Sequence, residues 1–162
     1  MADLRFLDVE NRRSIIDRRT VSEHLRDLRP GKRLSAEAAA ILRDALEHGR
    51  AEIAKRLTEE PGDGRSAAQA TAFLHDQLVR LVHDFVNERL LDEPLGGDFA
   101  LVGLGGTGRG EMAPYSDLDL MFLTAKVPSA EQEQAAEAML HLLRSEERRV
   151  GKGCRSRWSP YH

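Results

Sequence analysis

The chain is poor in cysteine and aromatic residues and has no long apolar run. Of its 162 residues one is cysteine, Cys154, and 5% are aromatic. A single cysteine cannot form an internal disulfide, so a disulfide scaffold is excluded and a reducing compartment is indicated. No stretch reaches the roughly 18 apolar residues of a membrane span, and the charged residues 1–13 lack the apolar centre of an export signal. We therefore expect a cytoplasmic protein without a membrane partner.

The composition is otherwise that of a globular domain or of a fragment of a larger protein. Hydrophobic residues make up 41% and charged residues 31%, with a formal net charge of -3, which is enough apolar content to bury a core. Residues 144–162 differ from the rest, with six basic and two acidic residues. This tail resembles the translation of a short-read sequencing adapter and departs from it only at Gly153. We expect a non-native tail and a natural protein that continues past Leu143.

Apolar residues recur at helical spacing in four segments, at residues 9–28, 35–57, 66–90 and 129–143. Ser35 is predicted to be the N-cap of the second helix, and Ser129 and Gln132 have capping-box spacing at the start of the fourth. The second and third helices are predicted to pack together as a hairpin. Their predicted core faces consist of Ala38, Ile41, Leu42, Ala45, Leu46, Gly49, Ile53 and Leu57 on the one, and Ala70, Leu74, Leu78, Leu81, Val82 and Phe85 on the other.

Two short apolar runs, at residues 99–104 and 118–123, have the length of strands and flank a glycine-rich segment. The order of elements predicts an α/β protein of the α+β type. Its predicted parts are a helical region at 1–95, a partial core with a small mixed sheet at 96–143, and the tail at 144–162.

Two aspartates, Asp117 and Asp119, lie at the second predicted strand. Alternate residues of a strand project to the same side, so both carboxylates are expected on one face and Leu118 on the other. Like charges this close require a cation or a proton between them, and paired oxygen ligands suit a Mg²⁺ ion that also binds phosphates. Alone, such a pair is more often a solvated strand end.

The glycine-rich segment before the aspartates favours the metal hypothesis. Gly105 and Gly106 follow the first predicted strand, where the missing Cβ atoms let backbone N–H groups approach an anion. Arg109 adds a positive charge. A phosphate-binding loop followed by paired carboxylates predicts a site for a nucleoside triphosphate and its Mg²⁺.

The same segment contains the G-x-G-x-x-G pattern of dinucleotide-binding proteins, from Gly103 to Gly108. That motif must open a helix inside a parallel crossover. Only seven residues separate Gly108 from Ser116, and they include Gly110 and Pro114. The segment has room for one short turn of helix, so we reject the dinucleotide hypothesis.

Residues 105–120 resemble a known family. They read G-G-T-G-R-G-E-M and then S-D-L-D-L, similar to the G-G-Y-G-R-G-E-L and S-D-I-D-L signature of the bacterial protein-PII uridylyltransferases, which are polymerase-β-like nucleotidyltransferases. The resemblance is strong over residues 101–123 and extends more weakly over 10–143. Thr107 departs from it, because the family usually has tyrosine there.

The resemblance implies an activity and the residues that perform it. It implies that UMP is transferred from UTP to a tyrosine hydroxyl of the PII signalling protein, in a nucleotidyltransferase core that is truncated here. Asp117 and Asp119 are the implied catalytic residues and Mg²⁺ ligands. The implied nucleotide-binding residues are Gly105, Gly106, Arg109 and Ser116. Ser116 either binds a phosphate oxygen or caps a turn.

The resemblance also implies a third carboxylate on a later strand. The sequence does not contain it, since Glu146 and Glu147 fall in the tail, and we therefore expect the chain as given to be inactive. Two alternatives stay open. One is an adenylyltransferase of the same superfamily, because phosphate and metal motifs do not encode the base. The other is a noncatalytic nucleotide-binding or interaction module. DNA is not an expected partner.

Two His-Asp pairs, which begin at His75 and His83, match the dipeptide of metal phosphohydrolases. Both pairs fall on one predicted helix, where neighbouring residues point in different directions, and a complete site needs ligands from other segments. We therefore interpret both histidines as ordinary residues of the helix surface.

Overall fold

A computed structural model describes residues 6–147, with side chains as far as residue 144. Within these residues, six helices and two strands follow one another in the order α1 (Arg12–Ile15), α2 (Arg18–Arg26), α3 (Leu34–Glu59), α4 (Gly64–Arg89), β1 (Phe99–Gly103), α5 (Gly105–Arg109), β2 (Leu120–Thr124) and α6 (Ala130–Glu147). The predicted α+β class is confirmed. None of the described helices is long and apolar enough to cross a membrane.

The two long helices, α3 and α4, form the predicted hairpin. All six residues of the predicted core face of α4 are buried, and so are Ala38, Leu42, Leu46 and Ile53 of α3. They pack tightly at Gly49, where a Cβ atom would lie 2.5 Å from Leu74 Cδ1 and 2.9 Å from the carbonyl oxygen of Ile15. A glycine at this position therefore lets α3 pack directly against α4 and the end of α1.

Side-chain caps mark the beginnings of α2, α4 and α6, with Asp17 as the cap of α2. The Asp63 carboxylate accepts a hydrogen bond from the Ser66 amide at 3.2 Å, at the start of α4. The capping box predicted for α6 is confirmed, because the Ser129 amide donates to Gln132 Oε1 at 3.0 Å and the Gln132 amide donates to Ser129 Oγ at 3.3 Å. These bonds satisfy N–H groups that have no acceptor within the helix.

The prediction of Ser35 as N-cap of α3 is wrong. The helix begins at Leu34, and its N-cap residue, Arg33, makes no side-chain cap. Leu34 is buried in the core, so its side chain belongs to the apolar face of the helix. The burial of Leu34, and not a serine cap, therefore determines where the helix begins.

The sheet consists of β1 and β2, which pair antiparallel from Phe99 opposite Thr124 to Gly103 opposite Leu120. The second strand therefore begins two residues later than predicted. The residues before Leu120 have no strand opposite them, because the first strand ends at Gly103, just before α5 begins. Asp117 and Asp119 precede the strand, in a segment without regular secondary structure. The described residues contain only this antiparallel pair and not the parallel pair that a mixed sheet also requires.

One hydrophobic core joins the helical region to the residues that follow it. Ala135, Met139 and Leu142 of α6 are buried in the same cluster as the faces of α3 and α4. The helix α6 continues to Glu147, past the predicted end of the native sequence at residue 143. Residues 148–162, which hold most of the predicted non-native tail, lie outside the described residues.

The interpretation of His75 as a surface residue is wrong. His75 is 7% exposed, and its ring nitrogen Nδ1 lies 2.8 Å from the Thr71 carbonyl oxygen, to which it donates. Burial lowers the pKa of His75, and the nearby charge of Arg50 lowers it further, while the hydrogen bond to Thr71 acts in the opposite direction. The helix is apolar on several sides around this residue, so periodicity could not reveal that a histidine points inward.

The methyl group added by Gly49→Ala overpacks the contact with Leu74, which should cost about 1–3 kcal/mol. Alanine also stabilises a helix interior by about 1 kcal/mol relative to glycine, so we expect a net destabilisation of up to about 2 kcal/mol. Denaturant unfolding measures the difference. Gly64→Ala is the matched control, because no atom lies within 4 Å of the position that its methyl group would occupy. Unchanged or higher stability of Gly49→Ala would contradict the close approach.

His75 predicts an acid-sensitive stability. Its pKa is lowered in the folded state, so between that pKa and the ordinary value near 6.5 the unfolded chain binds a proton that the folded chain does not. The free energy of unfolding should fall as the pH drops below about 6.5, by up to about 1.4 kcal/mol per pH unit. His75→Gln should flatten this slope between pH 7.5 and 5.5. Replacement of the exposed His24 by glutamine should leave it unchanged.

Candidate active-site cleft

The segment that connects β1 and β2 lines an open cleft of about 390 Å³. The residues that line it are Gly106, Arg109, Glu111, Met112, Ala113, Ser116, Asp117 and Asp119. Five of the six predicted site residues are among them, and the sixth, Gly105, lies against Asp119. The structure thus brings the predicted site residues together in one place.

The backbone between the strands sets the position of Asp119. The Leu104 amide donates to the Asp119 carbonyl oxygen at 2.9 Å, which extends the strand pairing by one bond. Gly105 has a φ of +52°, and a Cβ atom on it would lie 3.0 Å from Asp119 Oδ2. Gly105 therefore supplies a left-handed turn and the space for a carboxylate, two functions that a residue with a side chain would strain.

The helix α5 is the single short turn that the spacing predicted. It has five residues, Gly105–Arg109, so the N–H groups of its first turn have no acceptor within the helix. Gly106 lines the cleft within this turn, and the exposed Arg109 lines it at the end of the helix. A short backbone turn and a cation therefore form one side of the cleft.

A buried methionine attaches the cleft to the helix hairpin. Met112 is 2% exposed, and its amide donates to the carbonyl oxygen of Ala68 in α4 at 3.0 Å. Next to it, Glu111 forms an ion pair with Arg65 of α4 at 3.7 Å. No role was predicted for Met112 from the sequence. The available signal was an apolar residue in an otherwise polar loop.

Ser116 closes a turn at residues 113–116. Its amide donates to the Ala113 carbonyl oxygen at 3.0 Å, and its hydroxyl donates to the same oxygen at 2.8 Å. Of the two roles considered for Ser116, the turn cap is the one that its hydrogen bonds support. Tyr115, just before it, has a φ of +66° and is 64% exposed.

One contact beside the cleft was not predicted from the sequence. The guanidinium carbon of Arg50, in α3, lies 5.6 Å from the centre of the Tyr115 ring. The two residues are far apart in the sequence, and neither belongs to the motif, so no local pattern connects them.

The two aspartates are exposed and line the same cleft, while Leu118 between them packs against the core. This is the predicted alternation of faces, although the residues precede the strand. Two carboxylates on one cleft fit a divalent cation that takes further oxygen ligands from phosphate or water. Glu111 does not join them in a metal cluster, since residues 6–147 hold no suitable group of three or more His, Cys, Asp and Glu.

Comparison with known proteins connects the cleft to a family. The family model described as "Putative nucleotidyltransferase DUF294" matches residues 49–148. The bifunctional uridylyltransferase/uridylyl-removing enzyme of Novosphingobium aromaticivorans is 39% identical over 153 residues, which cover 91% of this chain and 17% of the relative. The enzyme of that name from Rhodospirillum rubrum is 35% identical over 151 residues, which cover 89% and 16%.

The chain therefore spans about a sixth of the length of these curated relatives. No solved structure matches it. The matched family region, residues 49–148, contains the whole cleft with both aspartates. The chain belongs to this family of nucleotidyltransferases.

Proposed function

We propose that this protein is the nucleotide-binding part of an enzyme that transfers UMP from UTP to a tyrosine hydroxyl of the PII signalling protein. The observation that carries the proposal is the shared cleft of Asp117, Asp119 and Arg109. The paired carboxylates suit the metal ion of a metal–triphosphate complex, and the positive charge of Arg109 suits its phosphates. The names of the relatives support uridylyl transfer as the reaction.

Each group in the cleft has a distinct task in this proposal. Asp117 and Asp119 hold Mg²⁺, which when bound neutralises charge on the triphosphate and on the pyrophosphate that leaves. Arg109 attracts the phosphates by charge, and the backbone at Gly105 and Gly106 accommodates them without a clash with side chains. The protein thus acts mainly by positioning and electrostatic stabilisation, the usual basis of catalysis at a phosphoryl centre.

The choice of nucleobase and acceptor is the finer part of the proposal. The phosphate and metal groups of the cleft would serve ATP as well as UTP, since both nucleotides carry the same triphosphate. The relatives' names favour uridylyl over adenylyl transfer. We place the reaction in the cytoplasm, in keeping with the single cysteine of the chain.

A chimaera tests the proposal. Residues 1–143 of this chain replace the matching segment of the Novosphingobium enzyme, which supplies the remaining length of the relative. With Mg²⁺ and labelled UTP, we expect the chimaera to label PII. Asp117→Asn and Asp119→Asn should each reduce the rate by more than about a hundredfold. This loss exceeds the one seen when a residue that merely supports a metal ligand is replaced, because each substitution here removes a proposed ligand itself.

Asp92→Asn provides the matched control, since Asp92 is exposed and does not line the cleft. It should leave the rate unchanged. Labelling of PII by ATP but not by UTP would favour the adenylyltransferase alternative. Undiminished labelling in Asp117→Asn and Asp119→Asn would contradict the assignment of the cleft.

A further inference from the structure

The turn at residues 113–116 contains a backbone conformation that its sequence does not favour. Pro114 and Tyr115 are its central residues, and the Ser116 amide closes it on the Ala113 carbonyl oxygen. Tyr115 has a φ of +66°, in the left-handed region where glycine and asparagine are preferred at this position of a turn. An aromatic residue there raises the free energy of the turn, so another interaction must compensate.

The compensating interaction is the contact with Arg50. Its guanidinium carbon lies 5.6 Å from the centre of the Tyr115 ring, within the range in which a cation is attracted to an aromatic face. Among residues 6–147, no carboxylate pairs with Arg50. The charge of Arg50 is therefore available to the ring.

Arg50 can act as a fixed support because its own helix is held in place. Gly49, the preceding residue, packs against Leu74 of α4, and Arg50 lies close enough to the buried His75 to affect that side chain electrostatically. The helix at this point cannot move without disturbing the core.

The turn leads directly to a proposed metal ligand. Asp117 follows Tyr115 by two residues, and both Ser116 and Asp117 line the cleft. On the other side, the Met112 amide is bonded to Ala68 of α4. The segment between Met112 and Asp117 is thus attached to α4 at its start and contacts α3 through Tyr115.

We propose that Arg50 is a positioning residue of the active site. By holding the ring of Tyr115, it fixes the turn at 113–116 and thereby the backbone from which the Asp117 carboxylate reaches the cleft. The role of Asp117 in this inference rests on the proposed function, whereas the contact between Arg50 and the turn does not.

Two measurements on the 162-residue chain test the proposal. The first is the hydrogen-exchange rate of the Ser116 amide by NMR, divided by that of buried α4 amides so that a change in global stability cancels. The second is the dissociation constant of Mn²⁺, measured by electron paramagnetic resonance. We expect Arg50→Ala to raise both values by roughly two- to fivefold, the factor that an exposed cation–aromatic contact contributes.

A double-mutant cycle shows whether Arg50 acts through the ring. Tyr115→Leu keeps a side chain on the strained backbone but removes the aromatic face, and should match the effect of Arg50→Ala. The double variant should be no worse than either single one, because both remove the same contact. Arg50→Lys and Tyr115→Phe should behave nearly as the unaltered chain, since an ammonium group and a phenyl face still attract each other.

Arg19→Ala is the control, because Arg19 is exposed on α2, where its side chain pairs with Glu23. It should change neither value. Unaltered exchange at Ser116 in Arg50→Ala, or additive effects in the double variant, would overturn the proposal. Faster exchange with an unchanged Mn²⁺ affinity would overturn the link to Asp117. If the unaltered chain, which lacks the implied third carboxylate, bound no Mn²⁺, the same Mn²⁺ measurement on the chimaera would decide both the link to Asp117 and the proposed metal site, while the exchange rates would still decide whether Arg50 holds the turn.

Discussion

The close packing of α3 against α4 is the constraint on which the cleft depends. At Gly49 the two helices approach so closely that a single methyl group would overlap Leu74. Packed interiors respond to volume changes of this size, so the hairpin behaves as one rigid body. Each of its helices then supplies one support for the glycine-rich segment. Ala68 of α4 accepts the Met112 amide, and Arg50 of α3 contacts Tyr115.

The cleft is lined by the segment between the two strands, and this segment is held both by the sheet and by the hairpin. The pairing of Leu104 with Asp119 continues the sheet into the loop, while the burial of Met112 attaches the other end of the loop to the helices. Functional loops depend on such attachment, because a loop alone cannot hold charged groups in one arrangement. Asp117 and Asp119 stay exposed to water, which screens their mutual repulsion.

Much of this arrangement could be predicted from local patterns. The helical spacing of apolar residues predicted the buried faces of α3 and α4, the Ser129–Gln132 pair predicted the start of α6, and the crowding of glycine and proline predicted a helix as short as α5. Each of these features depends on residues a few positions apart. The prediction of Ser35 as N-cap failed because the burial of Leu34, which depends on what packs against the helix, outweighed the local cap.

The sequence by itself determined the chemistry of the site, because carboxylates, glycines and an arginine at fixed spacing limit what the segment between the strands can bind. It also pointed to the family, and the family match covers the segment that contains those residues. Only the tertiary structure decided that His75 points into the core, that Met112 attaches the loop, and that Arg50 reaches Tyr115. These contacts join residues distant in the chain, and they depend on the packing of α3 on α4, which places both helices against the loop that lines the cleft.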